Sequence, residues 1–293
     1  MFTSIYLLNK NSRNEKNNDF GNSLRTFDLR YLSAQTKPNN SLLWEISGNG
    51  LQEPSYLFGT FHIMCEKDFE FKPKVSHALD NAKTLFLELN FSDQNELMAM
   101  QKMVQTDKKL SDQLNKDQLA RLSQALSPYN LTLEQVDNFS IQALYSLITQ
   151  KAITCSPTSL KLLDIEIMKL ALAEGKSVKG LETVEEQLHL LGNAYNLDET
   201  IDQLAKGDEY ASLFEEMIHL YKEENLPELD KLLKDPNFMN DNQEQWLLTK
   251  RNINWAEKMP AQMAKESTFF AVGAGHLSGK MELSSCWRTK VIS

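Results

Sequence analysis

The sequence predicts an α/β fold, a central mixed β-sheet flanked by helices and carrying a large helical insertion. Three observations predict it. Short apolar runs rich in β-favouring residues stand at Ser55–Phe58, Thr84–Leu89 and Thr268–Val272, separated by long stretches of helical spacing. The helical pattern after Pro73 leads directly into the run at Thr84, the repeat expected of α/β chains. Between Ser92 and Ala173 nearly every apolar residue falls on a helical stripe.

The elements follow in order. The first forty residues carry amide and charge without periodicity, as in Asn9–Asn18, and read as a disordered or processed tail over 1–40. A single domain is expected over 41–293. It opens with a strand at Leu42–Ser47, a turn at Gly48-Asn49-Gly50 and a second strand at Ser55–Phe58. Val75, Ala78, Leu79 and Ala82 then share a helix face, before the strand Thr84–Leu89. Helices at Leu97–Val104, Gln118–Leu126, Ile141–Ile153 and Leu160–Ala173 make up a helical cap of about 92–173. Ser177–Leu181 reads as a short strand, and Thr183-Val184-Glu185-Glu186 as a capping box opening a helix. Further helices are expected at Glu209–Lys222, Pro227–Leu233 and Glu244–Lys258, and a last strand at Thr268–Val272. The stretch Met281–Ser293 shows little apolar spacing, and an altered segment there could leave a sheet edge uncovered.

Composition narrows the function. The chain has 293 residues, 41% hydrophobic and 24% charged, as in soluble folded proteins. Forty acidic against 31 basic residues give a net charge of −9, which argues against nucleic acid and anionic lipid as partners. No stretch approaches the roughly 20 apolar residues of a membrane span, and no secretory signal is legible in the sequence as given. Cys65, Cys155 and Cys286 are odd in number and contain no Cys-x-x-Cys, so they suggest neither a disulfide framework nor a thiolate zinc site; Cys65 reads as a small core residue.

One local pattern recurs at the two ends. An apolar strand runs into Gly-x-x-His at Gly59–His62 and again at Gly273–His276. Glycine is expected to let the chain turn sharply there, which places each histidine just beyond the sheet edge, where open α/β sheets bind ligands. Alternation along Thr84–Leu89 puts Glu88 opposite Leu85, Leu87 and Leu89. A carboxylate so placed is either solvated at an edge strand or buried against a metal, a cation or several donors. Two neutral imidazoles and a carboxylate form a ligand set for a divalent transition metal that activates water. Asp164, on the apolar-striped helix Leu160–Ala173, can face the site as well but is read first as a solvated or helix-capping carboxylate, and His77, His189 and His219 read as surface or packing residues.

Together Leu57–His62, Leu87-Glu88-Leu89, Gly180–Gln187, Arg251-Asn252 and Val272–Leu277 resemble the TraB/PrgY/GumN family, which includes the Tiki proteases, in the same order from about Leu43 to Gly279. The resemblance implies an α/β fold and a metal-dependent hydrolase site of His62, Glu88 and His276, with a divalent ion such as Mn, Co or Zn as cofactor. It implies Glu182, Gln187 and Arg251 as substrate or supporting groups, and a peptide or protein as substrate. Glu182 reads equally as a helix-dipole partner, and Arg251 as half of a surface ion pair. Family members are commonly exported or associated with the bacterial cell envelope, and Leu32-Ser33-Ala34-Gln35 resembles the end of a signal sequence. The alternative function is a non-catalytic peptide-binding or signal-sequestering regulatory protein using the same cleft. A metal-free esterase using histidine and glutamate as acid and base is a third reading.

Overall fold

The computed structural model describes residues 40–48, 50–101, 104, 106–236, 239–278, 283 and 289–292. The tail expected over 1–40 therefore lies, apart from its last residue, outside the described residues, as does Cys286.

Among the described residues, eight strands form two sheets. The strands are β1 Leu43–Ile46, β2 Ser55–Thr60, β3 Met64–Cys65, β4 Thr84–Leu87, β5 Leu160–Lys161, β6 Ser177–Gly180, β7 Thr268–Gly273 and β8 Thr289–Val291. The main sheet has the order β6-β4-β7-β2-β1-β8. Its four inner-to-edge strands β6, β4, β7 and β2 are parallel, while β1 runs antiparallel to β2 and β8 antiparallel to β1. The fold is thus α/β with a mixed sheet. Of the parallel strands, β2, β4 and β7 are buried throughout, as suits runs inside a sheet covered on both faces, while the edge strand β6 is partly exposed.

The last strand to form in sequence among the parallel set, β7, lies between β2 and β4. This insertion brings Leu57 opposite Phe270 and Leu87 opposite Ala271, so that three segments remote in sequence end at one level. Phe269, Phe270, Leu57 and Leu85 are fully buried and anchor the register.

Helices Gln94–Gln101, Leu110–Gln113, Lys116–Leu126, Leu133–Val136 and Ile141–Ala152 lie between β4 and β5. The first packs on the main core through Met100, and the other four form a second apolar cluster in which Leu122, Leu126, Leu144 and Ile148 meet Ile201, Leu204 and Tyr210. No helix among the described residues is long and apolar enough to cross a membrane.

Three expectations change. The helix expected from Leu160 begins at Leu163, because Leu160 and Lys161 pair instead with Cys65 and Met64. The edge expected to be uncovered carries β8, with Trp44 opposite Val291. Cys65 is no lone core residue. It forms a disulfide with Cys155, 90 residues later, which no spacing rule reveals because the partners meet only through the β3–β5 ladder.

Candidate active site

The candidate site lies beyond the carboxyl ends of the four parallel strands. His62 follows β2 by two residues, Glu88 follows β4 directly, Glu182 follows β6 by two, and His276 sits in the turn Ala274–Leu277 after β7. In an open α/β sheet this is the edge where side chains from neighbouring strands converge.

The glycines of the repeated motif act by close approach rather than by turning the chain. Neither Gly59 nor Gly273 has a positive φ, and Gly273 is extended at φ −52°, ψ 138°. A Cβ on Gly59 would stand 2.6 Å from Leu277 Cδ1 and 3.1 Å from Ala274 Cα, so its absence lets the His276 turn pack on β2. A Cβ on Gly273 would stand 2.9 Å from His62 Nε2 and 3.3 Å from Glu88 Oε1. The missing side chain is the space in which imidazole and carboxylate meet.

Glu88 is the centre. It is 1% exposed and follows an inner strand rather than an edge. Its Oε1 accepts from the Gly273 amide at 2.7 Å, and its Oε2 accepts from Arg251 Nη2 at 2.6 Å. The same Oε1 stands 3.7 Å from His62 Nε2 and 3.6 Å from His276 Nε2, too far for a hydrogen bond to either. Burial alone would raise its pKa, but Arg251, His62 and His276 outweigh burial and hold the carboxyl far below the usual range.

Each imidazole is fixed from its opposite nitrogen. His62 Nδ1–H donates to Asp164 Oδ2 at 2.8 Å, and Asp164 Oδ1 accepts from Thr60 Oγ1 at 3.1 Å. His276 Nδ1–H donates to Asn252 Oδ1 at 2.6 Å, while Asn252 Nδ2 donates back to the His276 carbonyl at 3.3 Å. That second bond sets the orientation of the amide, which in turn assigns the tautomer. The two rings differ in charge preference. Burial lowers both, but the Asp164 and Glu88 carboxylates outweigh burial at His62 and raise its pKa. At His276 burial and the Arg251 charge together push it down to about 3.

Arg251 joins the acidic groups. Its Nη2 reaches Glu182 Oε1 at 2.5 Å as well as Glu88, its Nε bonds Glu182 Oε1 at 3.0 Å, and its Nη1 bonds His276 Nε2 and the Leu247 carbonyl, each at 3.2 Å. A π-helical turn, Gln245–Thr249, immediately precedes its helix, Lys250–Met263, and presents Arg251 and its neighbour Asn252 together. The Arg251 guanidinium carbon also lies 4.6 Å from the ring of Trp255, whose indole stands 4.4 Å from His276. Gln187 Nε2 donates to Glu182 Oε1 at 2.9 Å.

All six residues expected from the sequence, His62, Glu88, His276, Glu182, Gln187 and Arg251, therefore meet in one network. The surface reading of Arg251 fails, because it is 7% exposed and its ion pairs to Glu88 and Glu182 are buried. Asp164 is neither solvated nor a cap; it is 3% exposed and holds His62. Its signal was its place on the stripe Asp164, Ile167, Ala171, all buried. Asn252 shares the stripe of Trp255 and Met259 in the same way. His77, His189 and His219 are exposed.

The donors suit a divalent ion by type, since two imidazole Nε2 atoms face one carboxylate oxygen and each ring is held from behind by a carboxylate or an amide. Among the described residues no group of three or more His, Cys, Asp or Glu side chains is drawn together as a formed metal cage. Arg251 Nη1 instead engages the His276 lone pair.

The TraB/PrgY/gumN family model matches residues 42–289. The chain belongs to this family. It is similar to the metalloprotease TIKI2 of Danio rerio, 24% identical over 307 aligned positions covering 83% of this chain and 58% of that protein. It is also similar to metalloprotease TIKI2 of Xenopus tropicalis, 25% identical over 303 positions, 82% of this chain and 56% of that protein. The chain thus spans little more than half the length of these relatives. No solved structure gives a significant match.

Proposed function

We propose that this TraB/PrgY/gumN chain is a metal-dependent hydrolase cleaving amide bonds of a peptide or protein, with His62, Glu88 and His276 as the groups that hold the ion. The observation that carries this reading is the approach of both Gly-x-x-His imidazoles, through Nε2, to one Glu88 oxygen. The name of the TIKI2 relatives supports it. A divalent ion held there, with manganese, cobalt and zinc the candidates, supplies Lewis acidity and a water of lowered pKa.

The chain's own residues do the rest. Asp164 and Asn252 aim the rings, the Gly273 amide holds Glu88 Oε1, and Arg251 balances Glu88 and Glu182 in a site that excludes most water. His62, with 14% of its side chain exposed, is the most open member and so faces an incoming substrate, able to take or return a proton. Helices between Gln94 and Ala152 supply the walls that select it. The Cys65–Cys155 bond favours a compartment where thiols oxidise, in keeping with an exported or envelope-associated protein.

The 2.8 Å His62–Asp164 pair favours a second reading, a metal-free esterase in which His62 is the general base. A peptide and ester library separates the two. The protein is assayed after chelation and again with manganese, cobalt or zinc restored, beside His62→Ala and His276→Ala. Peptide cleavage that needs the ion and disappears in both variants is expected. Cleavage untouched by chelation moves the assignment to the esterase, and native-level activity retained in both variants defeats both readings.

A further inference from the structure

One remote segment, residues 155–164, holds His62 from behind. Asp164 opens the helix Leu163–Ala173, and its two oxygens accept from His62 Nδ1 and Thr60 Oγ1. Immediately before that helix, Leu160 and Lys161 pair antiparallel with Cys65 and Met64, just past His62. This ladder has only two residues on each strand, and an isolated pair that short is marginal in water. The Cys65–Cys155 disulfide closes the same junction covalently. Hydrogen bonds, ladder and disulfide thus join the two segments, 60–65 and 155–164, on one side of the imidazole.

We propose that Asp164 is a positioning residue for His62, and that the Cys65–Cys155 disulfide is the brace that keeps these two segments in register, so that the geometry of the site depends on a bond outside it. The proposal rests on the reading of His62 as a working group. An imidazole serves through Nε2 only while the proton stays on Nδ1, and a buried carboxylate accepting at Nδ1 both holds that tautomer and stops the ring from rotating. Thr60 and the helix start fix the carboxylate itself. Reduction by a dithiol would transfer two electrons and two protons, leaving Cys65 and Cys155 as thiols and the dithiol as its own disulfide. The ladder and the Asp164 hydrogen bonds would then hold the segments without a covalent link.

The test reads the ring directly. Imidazole ¹H–¹⁵N spectra of the full chain give the His62 Nδ1–H resonance, assigned by its loss in His62→Gln, and its exchange with water. The proteins compared are the native chain, Asp164→Ala, the Cys65→Ser/Cys155→Ser double variant, and the native chain treated with dithiothreitol, each checked for fold by circular dichroism. A slowly exchanging Nδ1–H is expected in the native protein, lost in Asp164→Ala, which removes the acceptor. On a cleaved peptide, kcat should fall about 10- to 100-fold in Asp164→Ala with KM little changed. The cysteine variant and the reduced native protein should show faster exchange of the same proton, and dithiothreitol should add nothing to the double variant. An unchanged His62 resonance in Asp164→Ala overturns the positioning role. An unchanged resonance after reduction overturns the brace, and because reduction is applied to the folded native protein this holds even if the double variant does not fold. Absence of hydrolysis in every protein with the spectra as expected would leave this inference standing and remove the proposed function instead.

Discussion

Gly273→Ala adds one methyl group where the structure leaves a gap. At φ −52° and ψ 138° the backbone suits alanine, so no conformational strain enters. The new Cβ would stand 2.9 Å from His62 Nε2 and 3.3 Å from Glu88 Oε1. Uncharged atoms settle at about 3.5 Å or more, so the imidazole has to withdraw by roughly 0.6 Å from the face it presents to Glu88. Overpacking of this kind costs about 1–3 kcal/mol of stability. A displacement approaching 1 Å at a reacting group costs up to about 100-fold in rate, so a loss of roughly 10- to 100-fold in kcat/KM is expected. Gly275→Ala is the control, since its Cβ meets Leu233 Cδ1 at 3.4 Å and Leu248 Cδ2 at 3.5 Å, ordinary contacts. The assay is peptide cleavage with urea unfolding in parallel. Full activity in Gly273→Ala, or an equal loss in Gly275→Ala, would refute the reasoning.

Other perturbations separate fold from site. Gly59→Ala drives a Cβ to 2.6 Å from Leu277 Cδ1, so it should lower the unfolding midpoint as well as activity. Arg251→Met leaves Glu88 and Glu182 buried without their cation, and a loss of about 3–5 kcal/mol in urea unfolding is expected; Met tolerated at no cost would mean the pairs are not formed. Cysteine-to-serine replacement at both Cys65 and Cys155 opens a separation of 90 residues, for which chain entropy predicts a loss of about 4–5 kcal/mol, read as a lower thermal midpoint. At Glu224 burial is outweighed by Lys72 and Lys74, which lower its pKa. Its contribution is therefore complete above its unfolded pKa of about 4.3 and is lost as pH falls through the folded value. Glu224→Gln should flatten the acid side of the stability profile, and an unchanged profile would contradict the pairing.

What the sequence discloses depends on how local the signal is. Strands β2, β4 and β7 are legible because each is a continuous apolar run, and the two Gly-x-x-His motifs because each is four residues long. Glu88 is legible as an anomaly, a carboxylate within such a run, but its burial follows only from the insertion of β7 beside β4. Arg251 carries no local mark of burial, since an arginine on a helix usually faces water, and its partners lie 69 and 163 residues away. Asp164 shows only as a carboxylate on an apolar helix stripe, and Cys155 has no local mark at all. Both meet the His62 loop across about a hundred residues, beside a two-residue ladder too short to show as a strand. The glycines were legible as special but for a different cause, close packing and not a turn.

The central claim, that His62, Glu88 and His276 together hold a divalent ion, is met most directly by elemental analysis. Purified protein is stripped with a chelator, given manganese, cobalt or zinc, dialysed, and compared with the His62→Ala/His276→Ala double variant. The account predicts about one ion per chain in the native protein and none in the variant, with matching circular dichroism. No bound ion in the native protein, or the same content in both, would contradict it.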